Sequence, residues 1–267
     1  MPTFVICHQD LPCFPLPDDA RIVWLSSEAP PESAHKLYSG YDYFPDGQAL
    51  HKRISGALGP LAIRRILESE TSSDDTVTVW QYRKFVTTQE FGIPSRNYGG
   101  INTLSIDEAK TLSIAPTPRN DQSFIIALPS KIHSTYMQYG GVHNIVDLLR
   151  YTQLAVELNV LSLHESYEFL NFPSLIIGGM ELGTYPREWW QACFEYIEMV
   201  TLEFEKRFDA FDSEDPYQKR AVAFCQERLG SYFLQKNLML NTGNSIPASL
   251  FGFVHSVSES GNYQRGT

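Results

Sequence analysis

The sequence predicts an α/β protein: a mostly parallel sheet flanked by helices, with a helical C-terminal part. Three observations carry that expectation. Short runs rich in β-branched and aromatic residues recur along the chain, segments of helical periodicity separate them, and two long helical stretches follow towards the C-terminus. The 267 residues are 43% hydrophobic and 19% charged, enough apolar material for a sizeable core.

"TFVICH" (3–8) and "ARIVWLSS" (20–27) read as the opening strands, separated by the proline-studded "LPCFPLPDD". "PLAIRRILES" (60–69) carries apolar residues at helical spacing, and Gly56, Gly59 and Pro60 give it an irregular entry. The strand "TVTVWQY" (76–82) follows. Residues 87–121 have little periodicity, contain Gly99-Gly100 and several prolines, and predict a long surface excursion with a short helix near "SIDEAKTL". "SFIIALP" (123–129) is a further strand, "NIVDLLRYTQLAVELN" (144–159) an amphipathic helix and "SLHESYEFLN" (162–171) a shorter one. "SLIIGGM" (174–180) reads as a fifth strand ending in glycines.

Pro186 occupies the first turn of a long helix through "PREWWQACFEYIEMVTLEFEKRFDAF". After the acidic break "DSEDP" (212–216), a second helix runs from Tyr217 to about Asn237. Beyond Asn241 the chain is polar and rich in Gly and Ser, apart from the apolar island "SLFGFV". One domain is therefore expected over 1–241, with a polar, partly disordered tail over 242–267.

The 31 acidic and 21 basic residues leave a net charge of −10, which disfavours nonspecific attraction to nucleic acid or an anionic bilayer. An anion site must therefore be local. Cys7, Cys13, Cys193 and Cys225 lack the paired close spacing of a zinc site and read as reduced thiols. With no apolar run of the roughly 20 residues that a spanning helix needs, a cytoplasmic protein is expected, with peripheral contact at the inner membrane face left open.

In parallel sheets, ligands sit beyond the carboxyl ends of strands. That rule selects His8 with Asp10 after the first strand, Tyr82, Arg83 and Lys84 after the third, and Gly178 to Glu181 after the fifth. Arg83 and Lys84 suit phosphate oxygens, the one as a fork and the other as a point charge, or one of them simply pairs with an acid. His8 is a structural histidine or a proton acceptor, and Gly178-Gly179 either form a turn or admit a ligand to the backbone. On the helix from Tyr217, residues Ala221, Val222, Phe224, Cys225, Leu229 and Tyr232 make one apolar arc, and Arg228 falls inside it. A guanidinium there needs either an internal acid or an anionic ligand in a cleft. Arg220 and Glu227 lie near the edge of the same arc. Walker, dinucleotide-binding, nucleophile-elbow, kinase and metalloprotease motifs are absent from the sequence.

Taken in order, "FVICHQDLPCFPLPDDARIVWLSS", "TVTVWQYRKF", "SFIIALPSKI", "SLIIGGMELG" and "YQKRAVAFCQERLGSYFL" resemble bacterial capsular and exopolysaccharide biosynthesis glycosyltransferases defined by a domain of unknown function. The resemblance spans about two thirds of the chain and rests on short collinear motifs: a first strand ending in His-Lys, a strand running into His-Tyr-Arg-Arg-Tyr, and a late helix with Gln-x-Arg and Glu-Arg-Leu. His8 matches the family histidine, Tyr82, Arg83, Lys84 and Phe85 match the strand motif, and Gln218, Arg220, Glu227 and Arg228 match the late helix. The chain departs from the family at Gln9 for lysine, Gln81 for histidine and Gly179-Met180 for Asn-Met. The glutamate usual before the motif strand has no counterpart around Gly56 to Leu61.

The resemblance implies a GT-A-like, Rossmann-related fold and transfer of a sugar from a nucleotide-sugar donor to a polysaccharide or lipid-linked glycan. Departure of a nucleoside diphosphate needs its growing negative charge stabilised, a task usually given to a metal. Here Arg83 and Lys84, helped by Arg220 or Arg228, are expected to perform it without a metal or added cofactor. Tyr82, Gly178, Gly179, Met180 and Gln218 complete the expected substrate contacts. Glu227 is the first candidate to take the acceptor's proton, with His8 and Asp10 behind it. The departures from the family motif leave a second reading open, a catalytically inactive nucleotide- or glycan-binding partner in a polysaccharide assembly complex. A third is a structural α/β protein whose cations are all paired internally.

Overall fold

The computed structural model describes residues 2–70, 74–114, 124–208, 218–243 and 245–259. Its first strands, β1 (Thr3–Cys7), β2 (Arg21–Trp24) and β3 (Lys36–Ser39), pair in parallel. The chain crosses over through α1 (Gly47–Ile54), a 3-10 turn at 55–57 and α2 (Leu58–Ser69), and β4 (Thr76–Gln81) then pairs in parallel with the free edge of β1. Every residue of β1 is buried, and the period of two divides them between the faces. Phe4 and Ile6 join the core that contains Leu61, Ala62 and Ile66 of α2. Val5 and Cys7 join a second cluster with Ile22, Trp24, Trp80 and Phe85. A strand apolar on both faces is what parallel pairing between layers requires.

After β4 the parallel order ends. The chain turns through Tyr82 and Arg83 into β5 (Lys84–Thr87), which runs antiparallel with Gln81 opposite Lys84. β6 (Ile93–Pro94) pairs antiparallel with β7 (Ile101–Ser105), and a capping box between Ser105 and Glu108 opens α3 (Ile106–Lys110). Then come β8 (Ile125–Ala127), β9 (Ser130–Lys131), α4 (Thr135–Gly140), α5 (Ile145–Glu157), α6 (Leu163–Asn171) and β10 (Ser174–Leu175). β11 (Gly183–Pro186), α7 (Arg187–Arg207), α8 (Ala221–Thr242) and β12 (Phe251–Ser258) complete the order.

The main sheet has ten strands in the order β3-β2-β1-β4-β11-β8-β12-β7-β6, with β5 joining β12 to β4. Strands β4, β11, β8, β12 and β5 therefore close into a five-membered ring. The expected mostly parallel sheet is found only in the β3-β2-β1-β4 half; the whole is a mixed sheet flanked by helices. A two-residue connection can join only antiparallel neighbours, so the turn at Tyr82-Arg83 forces the change.

Three further expectations are corrected. "SLIIGGM" is not a strand of the main sheet: Ser174 and Leu175 pair with Lys131 and Ser130 in a separate two-stranded sheet, and residues 177–180 form a turn. The main sheet takes Gly183–Pro186 instead. The excursion over 87–121 contributes β7, whose first four residues are buried. The tail beyond Asn241 contributes β12, which pairs with β5, β7 and β8. Residues 260–267 and the acidic break at 212–216 lie outside the described residues.

Helix α7 is anchored by charge as well as packing. Its buried Glu198 accepts from Arg64 Nε at 2.8 Å and from Arg65 Nε at 2.9 Å, tying α7 to α2. A carboxylate this deep is tolerable because it has two guanidinium partners. All four cysteines are free thiols, and no helix among the described residues is long and apolar enough to cross a membrane.

Candidate functional site

The turn between β4 and β5 sets the site's position. Neither Tyr82 nor Arg83 has a positive φ, and the turn is held from both sides: the Tyr82 N–H donates to Ile6 O at 2.9 Å, and Arg83 O accepts from the Val257 N–H at 2.8 Å. The cations thus lie on a turn stitched to β1 and β12, not in the middle of the core. Lys84 is one position further on, in the β5 ladder opposite Gln81 and Ser256.

Because β1 and β4 are parallel neighbours, His8 emerges beside this turn. Its ring stands edge-on to Tyr82, centroids 4.7 Å apart and planes at 89°. The Arg83 guanidinium lies 5.1 Å from the Tyr82 centroid, and its Nη2 reaches Asp10 Oδ2 at 3.9 Å. That pair is loose and wet, with Asp10 67% exposed, so it holds Arg83 only weakly. The His8 pKa is lowered, first by lost hydration where it packs, then by the positive charges of Arg220 and Arg83, with Asp10 acting against them. His51 of α1 lies close behind, its Nδ1 2.8 Å from the Tyr41 hydroxyl. Burial and the charge of His8 push its pKa down to about 4. The sequence reading had not marked His51, since a histidine in the last turn of an amphipathic helix carries no local signal of burial.

Arg220 arrives from the other end of the chain. A 3-10 turn over Gln218–Arg220 leads into α8 and packs against α1 and the 55–57 turn, which brings the Arg220 charge to His8 and Tyr82. Its guanidinium lies 5.5 Å from the Phe224 ring and is exposed, and it makes no salt bridge among the described residues. Gln218 donates from Nε2 to Val142 O at 3.2 Å, while its buried Oε1 has no partner among the described residues.

Other expected contacts have structural work elsewhere. Arg228 is buried and internally satisfied, donating from Nη1 to Glu227 Oε2 at 2.8 Å and Phe224 O at 3.1 Å, and from Nη2 to Gln138 Oε1 at 3.1 Å. Of its two readings, the internal pair is the one observed. Glu227 uses its other oxygen, Oε1, to accept the Gly178 N–H at 2.8 Å, so both carboxylate oxygens are engaged. Gly178 and Gly179 have φ of 76° and 53°, and a Cβ on Gly179 would sit 2.5 Å from Glu227 O. Their freedom lets this turn press against the α8 backbone. Met180 is fully buried in the core, and its carbonyl accepts from Trp190 Nε1 at 2.9 Å.

The same turn delivers Glu181, the last residue of the stretch that the strand-end rule selects, to a buried position that its sequence context does not announce. Glu181 is 8% exposed, and its Oε1 accepts from Gln226 Nε2 at 2.9 Å. Gln226 is itself fixed: Thr201 Oγ1 donates to its Oε1 at 3.1 Å, Thr201 lies 2.9 Å from the Tyr151 hydroxyl, and Gln226 Nε2 also reaches Ala57 O at 3.2 Å. Burial, above all, raises the Glu181 pKa to about 8. The Gln226 hydrogen bond acts against this, Glu227 reinforces it and Arg220 moderates it.

The arrangement is a rim of fixed cations and neutral imidazoles at the carboxyl end of β1 and β4, with a buried carboxyl behind it. Among the described residues no group of three or more His, Cys, Asp or Glu side chains could hold a metal ion. No family model and no curated protein matches the chain. Among solved structures, the chain is similar to WbbM, described as a bifunctional glycosyltransferase in its apo form. The TM-score is 0.63 at 10% identity, and the match covers 95% of this chain and 45% of that one. At that identity the likeness is one of fold.

Proposed function

We propose that this chain is a GT-A-like glycosyltransferase domain that moves a sugar from a nucleotide-sugar donor to a polysaccharide or lipid-linked glycan. One observation carries the reading: His8, Arg83 and Arg220, from three distant segments, share one rim, where among the described residues Arg220 makes no salt bridge and Arg83 has only a 3.9 Å contact to an exposed acid. A guanidinium cannot shed its charge, and two left so weakly compensated suit the oxygens of a diphosphate. The shared fold with a glycosyltransferase supports the class of reaction.

In this reading Arg83 and Arg220 neutralise the departing diphosphate, which is the task a metal performs elsewhere. Arg228 and Glu227 hold the Gly178-Gly179 turn in place and do not touch the substrate. His8, whose pKa is lowered first by lost hydration and then by the charges of Arg220 and Arg83, is the group suited to take the acceptor hydroxyl's proton, with Asp10 beside it. A thermal-shift screen of UDP, GDP, dTDP and ADP with and without EDTA tests the reading. We expect at least one to raise the melting temperature by mass action, undiminished by chelator. No shift with any of them overturns the proposal, and a shift abolished by EDTA overturns its metal-free part. Binding without transfer across the matching nucleotide sugars would favour the inactive binding partner, for which the departure at Gln81 is the supporting observation.

A further inference from the structure

Glu181 is a buried acid that no cation pairs with among the described residues. Its titratable neighbours are Arg220 and Glu227 from α8 and its lead-in, Tyr151 from α5 and Tyr185 from β11. Arg220 is the one cation of that set, and it is exposed and turned to the rim, with no salt bridge to Glu181 among the described residues. The two tyrosines are themselves held in their neutral form by burial. Glu181 Oε1 is occupied by Gln226, whose orientation is set by the chain through Thr201 to Tyr151, so Gln226 presents a donor and cannot accept from the carboxyl. Oε2 makes no hydrogen bond among the described residues. A side chain that is more than nine-tenths buried thus keeps one polar oxygen unspent, and Gln226, which holds the other, also reaches Ala57 O in the 55–57 turn, against which the Gln218–Arg220 turn packs.

Resting on the reading of that rim as a diphosphate site, we infer that Glu181 is a ligand-binding residue that acts in its neutral form, donating a hydrogen bond from Oε2 to an oxygen of the bound nucleoside diphosphate or its sugar. The chemistry follows from charge. An ionised carboxylate beside a diphosphate would repel it and would lose hydration in doing so, whereas a neutral carboxyl supplies an O–H donor at no Coulombic cost. Burial keeps the proton in place at neutral pH, with a pKa near 8. The approach of an anion holds it more firmly still. The neighbouring 55–57 turn is tied to the same hydrogen-bond network, since Ala57 O shares the Gln226 amide, and Ser55 there adopts φ 52°, ψ −134°, a conformation rare for a residue with a Cβ.

The test is the affinity of whichever of UDP, GDP, dTDP or ADP binds, measured by titration calorimetry at about pH 7 and about pH 9, with the fold checked by near-ultraviolet circular dichroism at both. For a donor lost with a pKa near 8, the wild-type Kd should weaken about tenfold between the two, because the protonated fraction falls by that factor. In Glu181→Gln, whose amide cannot ionise, the ratio of the two Kd values should shrink to within about twofold. Glu181→Ala, with no donor, should bind more weakly than Glu181→Gln at both pH values. A tenfold loss that survives in Glu181→Gln overturns this inference alone. So does a wild-type Kd that is flat with pH. No binding of any of the four at either pH overturns the diphosphate reading and this inference with it.

Discussion

Glu227 joins two structures at once: its Oε1 accepts the Gly178 N–H and its Oε2 accepts from Arg228 Nη1, both at 2.8 Å. The residue that sequence reasoning placed first as the catalytic base is therefore the clamp between α8 and the turn that carries Glu181. Glu227→Gln leaves the buried Arg228 without its acid and weakens the clamp. Because Glu227 is 25% exposed, the cost should fall below that of a fully buried pair, at about 2 kcal/mol. A shifted denaturant midpoint with an unchanged slope would show it, and an unchanged midpoint would contradict the clamp.

Arg83→Ala and Arg220→Ala should separate binding from stability. Each removes the charge-assisted contact proposed to the diphosphate, and such a contact is worth about 1.5–3 kcal/mol, so nucleotide affinity should fall roughly tenfold to hundredfold. Both side chains lie at the surface, with Arg83 paired only loosely, so the melting temperature without ligand should barely move. Calorimetric titration and thermal melts on the same samples check both halves.

Two glycines predict opposite outcomes. Gly179→Ala places a Cβ 2.5 Å from Glu227 O and 3.2 Å from Ser231 N at a φ of 53°, against helix backbone that cannot give way. It should destabilise the fold by roughly 3 kcal/mol or more. A Cβ on Gly56 meets nothing within 4 Å and its φ is not positive, so Gly56→Ala should leave stability unchanged or raise it by about 0.5–1 kcal/mol. Equal effects in thermal melts would contradict the close contact at Gly179.

Stability should peak with pH near the ordinary histidine value. His51 and His255 have pKa values lowered to about 4, chiefly by burial, so the unfolded chain binds more protons than the fold between about 4 and 6.5, and stability is lost as pH falls through that window. Glu181 is raised to about 8, so the fold binds the extra proton between about 4.5 and 8, and stability is lost as pH rises through that window. Two groups outweigh one below pH 6.5, Glu181 dominates from there to about 8, and beyond that the Cys7, Cys193 and Cys225 thiols, pushed up to about 12 by burial, add to the loss. Glu181→Gln should therefore flatten a plot of unfolding free energy against pH between about 6.5 and 8 and leave the acid side in place.

A chain ending at Asn241 should fail to fold. β12 closes the ring by pairing with β5 and β8 and also carries β7, and its Val254 and Val257 are buried. Removing it exposes three strand edges together with apolar surface. Native-like circular dichroism and a cooperative melt in that truncated chain would show that the ring does not depend on it.

Much of the architecture was legible because it depends on near neighbours in sequence. The alternation that sends Phe4 and Ile6 to one face and Val5 and Cys7 to the other, the capping boxes at Ser105–Glu108 and Ser162–Glu165, and the apolar stripe of α5 are local patterns. So was the marking of His8, Arg83 and Arg220, which stand out by residue type at the ends of apolar segments. Contacts between distant residues decided the rest. An internal acid, Glu227 among the candidates, is one of the two readings of Arg228, but adjacent helix positions do not face each other, so only packing against Gln138 and Gly178 fixes the pair. The role of the C-terminal segment came from its three strand partners and not from its polar composition. Glu181 looks like any acid beside a turn until α8 closes over it. Sequence alone determined which residues carry charge and where the long helices and the opening strands run. Only the tertiary structure decided which of those charges lose water and which keep it, because hydration depends on what packs alongside.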